Sequence, residues 1–272
     1  MKGTVDHMEA RIGRSRRHWS RWLYRIQWTL LGAMFLGAAL LRVGWLSYPR
    51  AFNLLMVAGL AALVVALLSM LVFMWGLVKG HPEARAAALW AAVLGLAPVA
   101  VPLLTVGRAN FDVPPIHDIT TDLDNPPRFE AVLSLRKPGD SSADYGGEPV
   151  AQLQRNAAVY SDIRPILVPL PVAQATALAE QVGRDLGWRV IASVPARGRL
   201  EAVARTPLLG LSEDIVVRIE PAEGENASKA NEKVSKVDVR SASRVGISDL
   251  GSNAKRIRRF LNEMRRRSGS PE

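Results

Sequence analysis

The chain has 272 residues, with 35 Lys+Arg against 25 Asp+Glu for a formal charge of +10, and no cysteine. Without thiols, disulfides, thiolate metal sites and haem thioethers are excluded. The excess charge does not mark a nucleic-acid binder, because residues 1–107 hold 11 basic and 3 acidic residues while residues 108–272 hold 24 and 22; it reads as topology signal and attraction to lipid headgroups.

Residues 1–25 carry Arg11, Arg14, Arg16, Arg17, Arg21 and Arg25 against Asp6 and Glu9. The stretch is too long and basic for a cleavable signal peptide and reads as an arm lying on an anionic inner leaflet. In residues 26–107 three runs, 28–46, 54–78 and 84–106, approach the roughly 20 apolar residues that a spanning helix needs. Arg42, near the end of the first run, is placed to snorkel to the headgroups. Pro98 and Pro102 in the third remove two backbone donors and predict a kink. The N-terminal arginines, together with Lys79 and Arg85 between the second and third runs, set those segments on the cytoplasmic side. Three crossings then carry the remainder of the chain out of the cytoplasm.

Residues 108–171 form a proline-rich connection, with nine of the 17 prolines between Pro114 and Pro171. Proline at that density predicts extended, turn-rich chain with at most a short helix or strand near residues 129–135. His117, Asp118, Asp122 and Asp124 fall together here, but without the glycine and closing glutamate of a calcium loop. Asx turns are the expectation, with no metal and no cofactor.

Residues 172–267 read as an α+β core. A helix over 173–186 carries Leu178, Val182 and Leu186 on one face. Strands follow at 188–194, 200–204, 214–219 and 234–240, with a solvated loop over 221–233. A last helix over 253–267 has the stripe Ile257, Phe260, Leu261 and Met264, and residues 268–272 are a tail. Two helices on one face of a four-stranded antiparallel sheet make a two-layer domain behind a three-helix membrane block. Alternation sends Arg189, Arg205, Arg218, Arg240, Glu201 and Asp238 to the other face, along with Val203, Val216 and Ile191. That face calls for a cover: the proline-rich segment, the membrane or a partner.

The densest polar cluster joins the last strand to the last helix: Arg240, Ser241, Ser243, Arg244, Asp249, Asn253 and Arg256. Arginine forks beside the free N–H groups of a helix start suit an anion. Alternatively Arg240 pairs with Asp238 or Asp214, Arg244 pairs with Asp249, and the cluster is a structural corner. Asp214, Arg218, Tyr160 and Asp162 form a secondary set. The run Arg-Ser-x-Ser-Arg-x-Gly-x-x-Asp-x-Gly-x-Asn over 240–253, with residues 206–218 and 160–165, resembles the family catalogued as domain of unknown function 1499. The resemblance spans roughly 115–265 and implies a bacterial envelope protein, but no activity. The Asn-Cys pair frequent at that domain's start is absent, and residues 121–125 stand there without cysteine.

The sequence thus predicts a multi-pass protein of the bacterial inner membrane with a cytoplasmic N-terminus and a periplasmic domain. That domain is expected to bind or scaffold an anionic envelope ligand, such as a lipid headgroup, or an envelope protein, and no nucleic acid. The alternatives are a hydrolase built from His117 and a serine of 241–248, and an accessory subunit of a transporter. No Gly-x-Ser-x-Gly elbow supports the hydrolase.

Overall fold

Three helices of the N-terminal unit are long and apolar enough to cross a membrane: Arg21–Arg42, Tyr48–Lys79 and Ala84–Val106, with mean hydropathies of 1.2, 2.7 and 2.1. The computed structural model describes residues 20–107, 113–222 and 234–269. The expected basic arm, solvated loop and tail lie wholly or mostly outside those residues. The chain divides into two compact units between Thr105 and Val106.

Helix α1 (Arg21–Arg42) begins seven residues before the expected apolar run, and Gly44, at φ +81°, turns the chain towards α2 (Tyr48–Lys79). The third span is two pieces, α3 (Pro82–Leu94) and α4 (Ala97–Val106), with a turn at Gly95 and Leu96. The break falls where Pro98 has no N–H to offer the carbonyl of Leu94. Packing in this unit is inverted relative to a water-soluble core. Ala51, Ala62, Ala84, Ala88 and Ala91 are fully buried, whereas Phe35 is 77% exposed and Leu60 66%. Small residues inside and large apolar ones outside is the arrangement that lipid favours, because close backbone approach replaces the hydrophobic drive between helices. The buried Gln27 ties the three spans: its Nε2 donates to Ala62 O at 2.9 Å and Ala91 O at 3.1 Å. A Cβ on Gly95 would lie 2.1 Å from that nitrogen, so only glycine admits the amide.

The C-terminal unit is a two-layer α+β domain. Its antiparallel sheet has six strands rather than four, in the order β1-β6-β5-β4-β3 with β2 also on β6. The four expected strands are β3 (Arg189–Val194), β4 (Arg199–Arg205), β5 (Ser212–Pro221) and β6 (Ser235–Ser243). Two three-residue strands from the proline-rich segment are added. β1 (Asp118–Thr120) pairs with Arg240–Ala242, and β2 (Ile166–Val168) pairs with Ser235–Val237, so they share one edge of β6. Such short pieces carry no periodicity to read. The same segment also holds α5 (Gly147–Asn156), where extended chain was expected. Its Gln154 side chain accepts from Thr120 N–H at 3.1 Å and donates to Thr120 O at 2.7 Å, closing the free edge of β1.

Helices α6 (Val172–Asp185) and α7 (Ser252–Ser268) cover one face, as the periodicity predicts. Between them and the sheet lie Leu200, Ile215, Val217, Val237, Val239, Phe260 and Met264, all buried. The opposite face is covered by the proline-rich segment, whose Phe129 and Val132 pack on Val203, Val216 and Ala242. A short 3₁₀ turn, Ala131–Leu135, carries Val132.

Gly198 turns β3 into β4 at φ +62°, and its carbonyl accepts from Ile219 N–H at 2.7 Å. A Cβ there would sit 1.8 Å from Ile219 O. We expect Gly198→Ala to cost about 2–4 kcal/mol, from left-handed backbone strain plus the clash. The midpoint of chemical denaturation in detergent measures it.

Candidate functional site

The alternation of β6 splits the sequence motif between the two faces of the sheet. Arg240 and Arg244 point to the face beneath the proline-rich segment; Ser241 and Ser243 point to α7. The residues singled out as one anion site therefore form two separate networks.

Beneath the proline-rich segment each arginine meets a carboxylate. Arg240, 1% exposed, grips Asp118 through Nε at 2.9 Å and NH2 at 2.6 Å, and donates to the carbonyls of Pro127 and Ala143. Its guanidinium lies 4.5 Å from the Phe129 ring centroid and 5.4 Å from that of Tyr145, a favourable cation–π setting in a dry site. Burial first, and then the Asp118 charge, push the Tyr145 hydroxyl up to about 12. Arg244 binds Asp214 through NH2 at 2.7 Å and Nε at 3.0 Å and donates to Leu135 O. Arg136 reaches the same Asp214 at 2.8 Å. Arg218 spans Asp122 and Asp238, both at 3.1 Å, and Lys236 joins the same two acids. The fully buried Glu201 accepts from Arg199 and from the N–H groups of Glu130 and Val132.

On the helix side the centre is Glu213, 1% exposed. It accepts from Ser243 Oγ at 3.1 Å and Ser252 Oγ at 2.6 Å, and pairs with Arg256. Ser241 Oγ lies 2.8 Å from Asn253 Oδ1, and Arg256 NH1 donates to both. Asn253 Nδ2 donates to His117 O and Ser243 Oγ.

The expected partners are thus corrected. Arg240 pairs with Asp118, not Asp238 or Asp214, and Arg244 pairs with Asp214, not Asp249. The N-cap residue of α7 is Gly251, at φ +77°. The start of α7 is already occupied by an anion, since Asp249 accepts from Asn253 N–H at 2.7 Å and Gly251 N–H at 3.0 Å. Burial pushes the Asp249 carboxyl up, against these two donors, and Glu213 pushes the same way.

The secondary residues are scattered. Tyr160 is buried in the helix-side core, and burial raises its hydroxyl. Asp162 ties α7 at the surface through Arg258 at 2.6 Å, which holds its carboxyl below the ordinary range. No Ser–His pair is assembled among the described residues: the Ser241 and Ser243 hydroxyls bond to Asn253 and Glu213, and His117 Nδ1 is buried without a partner. Asp118 and Asp122 are taken by Arg240 and Arg218, and Asp122 Oδ1 closes an Asx turn with Asp124 N–H at 3.2 Å and also accepts from Asn125 N–H at 2.9 Å.

The sequence named the arginines and the acids Glu201, Asp214 and Asp238, but not which of them pair. The available signal was the acids Glu201, Asp214 and Asp238 recurring among valines, at positions that a sheet covered on both faces must bury.

A family model described as "Protein of unknown function (DUF1499)" matches residues 118–264, 147 of the 272. The chain belongs to this family. The matched stretch of DUF1499 begins at Asp118, the partner of Arg240, and ends in the last turns of α7. It contains both polar networks and leaves out the apolar helices. No curated protein and no solved structure matches the chain.

Removing one member of a buried ion pair strands the other without water, a loss of about 3–5 kcal/mol, whereas replacing both by apolar groups is frequently near neutral. Arg240→Met is expected to lower stability by about that amount, and Asp118→Leu/Arg240→Met to recover most of it; urea midpoints of the three proteins decide. The Asp249 pKa is raised on folding, so the folded state holds that proton more tightly. Its contribution therefore declines as pH rises from the ordinary 3.8 through the higher folded value. The melting temperature of the wild type minus that of Asp249→Asn is expected to shrink as pH rises across that window.

Proposed function

We propose that the protein is a membrane-anchored binding or scaffolding module. Its DUF1499 domain is held on the periplasmic side of a bacterial inner membrane, where it engages an anionic envelope ligand or an envelope protein through its outer surface. One observation carries the reading: the motif arginines Arg240, Arg244 and Arg256 are each saturated by an internal carboxylate. Side chains consumed this way fit a rigid frame better than an open reaction centre. Recognition then falls to groups that the frame displays.

The orientation is supported by Lys79, at the end of the second span, and Arg85, at the start of the third, on the same side as the N-terminal arginines. Trp22 and Trp75 lie near the start of α1 and the end of α2, and Trp45 lies in the turn between them, positions that suit the headgroup layer.

The absence of cysteine makes a direct test available. Single-cysteine variants Ser134→Cys, on the exposed 3₁₀ turn of the domain, and Lys79→Cys, at the end of the second span, are treated with a membrane-impermeant maleimide in spheroplasts. Labelling of Ser134→Cys in intact spheroplasts, and of Lys79→Cys only after lysis, is expected; the reverse pattern overturns the periplasmic placement. Native mass spectrometry of the full chain extracted in polymer discs then tests binding. An anionic species or envelope protein retained on the chain is expected, and a bare chain under the same extraction removes the module reading.

A further inference from the structure

Seven Lys+Arg and a single acid, Glu263, lie on α7, whereas the rest of residues 108–272 holds 17 Lys+Arg and 21 Asp+Glu. The domain is therefore electrically lopsided, with its positive charge concentrated on one helix. Four of those seven cations have carboxylate partners: Arg256 with Glu213, Arg258 with Asp162, Arg266 with Glu263, and Arg267 with Asp185 and Glu263. Lys255, Arg259 and Arg265 have none among the described residues.

Helix stability explains only part of this. Arg265–Arg267 sit in the last turn, where cations complement the helix dipole. Neither Lys255 nor Arg259 lies in the last turn, so the dipole does not account for them. They are also exposed and aligned with Asn262 and Arg266 at spacings of four, three and four residues, which makes one continuous outward strip. Beside the strip, Arg265 borders an open groove of about 390 Å³ lined by Pro165, Leu167, Pro169 and Val234, and Leu167 is 53% exposed. Cations next to exposed aliphatic groups match the headgroup layer of a bilayer, where phosphates and the first methylenes are reached together. The chain carries three membrane-spanning candidates of its own, so a lipid surface is always at hand.

We infer that the outward strip of α7, formed by Lys255, Arg259 and Arg266, docks the domain on anionic lipid headgroups. This names the partner within the module reading above, but it does not depend on which side of the membrane the domain occupies.

The test uses the full chain with Asn262→Cys, in the middle of the strip, labelled with an environment-sensitive fluorophore. A control carries Ser134→Cys, on the exposed 3₁₀ turn over the opposite face of the sheet. Both are reconstituted in nanodiscs of phosphatidylcholine alone and of phosphatidylcholine with phosphatidylglycerol. Because nanodiscs expose both leaflets, an inverted topology leaves this result unchanged while failing the spheroplast labelling. At position 262, quenching by a water-soluble quencher is expected to fall several-fold in the anionic discs. High salt and Lys255→Glu/Arg259→Glu/Arg266→Glu should each restore it, and the label at 134 should stay equally quenched in both lipids. Equal quenching at 262 in the two lipids overturns the inference, as it would if the strip served an acidic protein instead. If the triple variant does not fold, the wild-type comparison between lipids decides alone.

Discussion

Charge buried within a sheet has to be neutralised where it stands, and the DUF1499 domain is built around that requirement. Strands β4, β5 and β6 bring Glu201, Asp214, Asp238 and Arg240 into one layer that water does not reach. Each of these groups alone would be ruinous. The proline-rich segment completes the layer by delivering Asp118, Asp122 and Arg136 as counter-ions, Pro127, Leu135 and Ala143 as carbonyl acceptors, and Phe129 as a lid. A stretch that offers little regular structure is thereby an integral layer of the fold. Its irregularity is useful, since free carbonyls are what guanidinium forks consume.

The two units solve the burial of polar groups in opposite solvents by related means. In the domain, cations and anions cancel in pairs. Among the apolar helices, one uncharged amide, Gln27, bridges two backbone carbonyls in a nest made by Ala62, Ala66, Ala91 and Gly95. A neutral donor is the economical choice in hydrocarbon, because it ties helices without bringing a net charge.

The parts of this architecture legible in the sequence are those with a period. Helices α6 and α7 show their apolar stripes, β3–β6 alternate, and the spans announce themselves by length. Even the need to cover the second face of the sheet follows from alternation. What covers it does not, because β1 and β2 are three residues each and the 3₁₀ turn is five. The motif around Arg240 and Arg244 is conspicuous, yet its chemistry is misleading in one dimension. Neighbours in sequence are placed on opposite faces, and the partner of Arg240 is 122 residues away. Local sequence shows a cluster of donors; only the folded sheet shows that the acceptors are already supplied. The exposed strip of α7 is the converse case, since its positions are read directly from helical spacing, while the lack of carboxylate partners for Lys255 and Arg259 among the described residues emerges only when the surrounding surface is assembled.

The placement of β6 also has a bearing on how the protein is made. This strand lies between β5 on one side and β1 and β2 on the other, so three segments that leave the ribosome earlier wait for it. Residues 108–234 carry 14 Lys+Arg and 18 Asp+Glu, and residues 235–272 carry 10 and 4. In a nascent chain that stops before Ser235, residues 108–234 therefore carry a net charge of −4, and Asp118, Glu213 and Asp214 still lack Arg240, Arg256 and Arg244. Long-range pairing of this kind is slow to form. Here it couples completion of the domain to synthesis of β6 and α7.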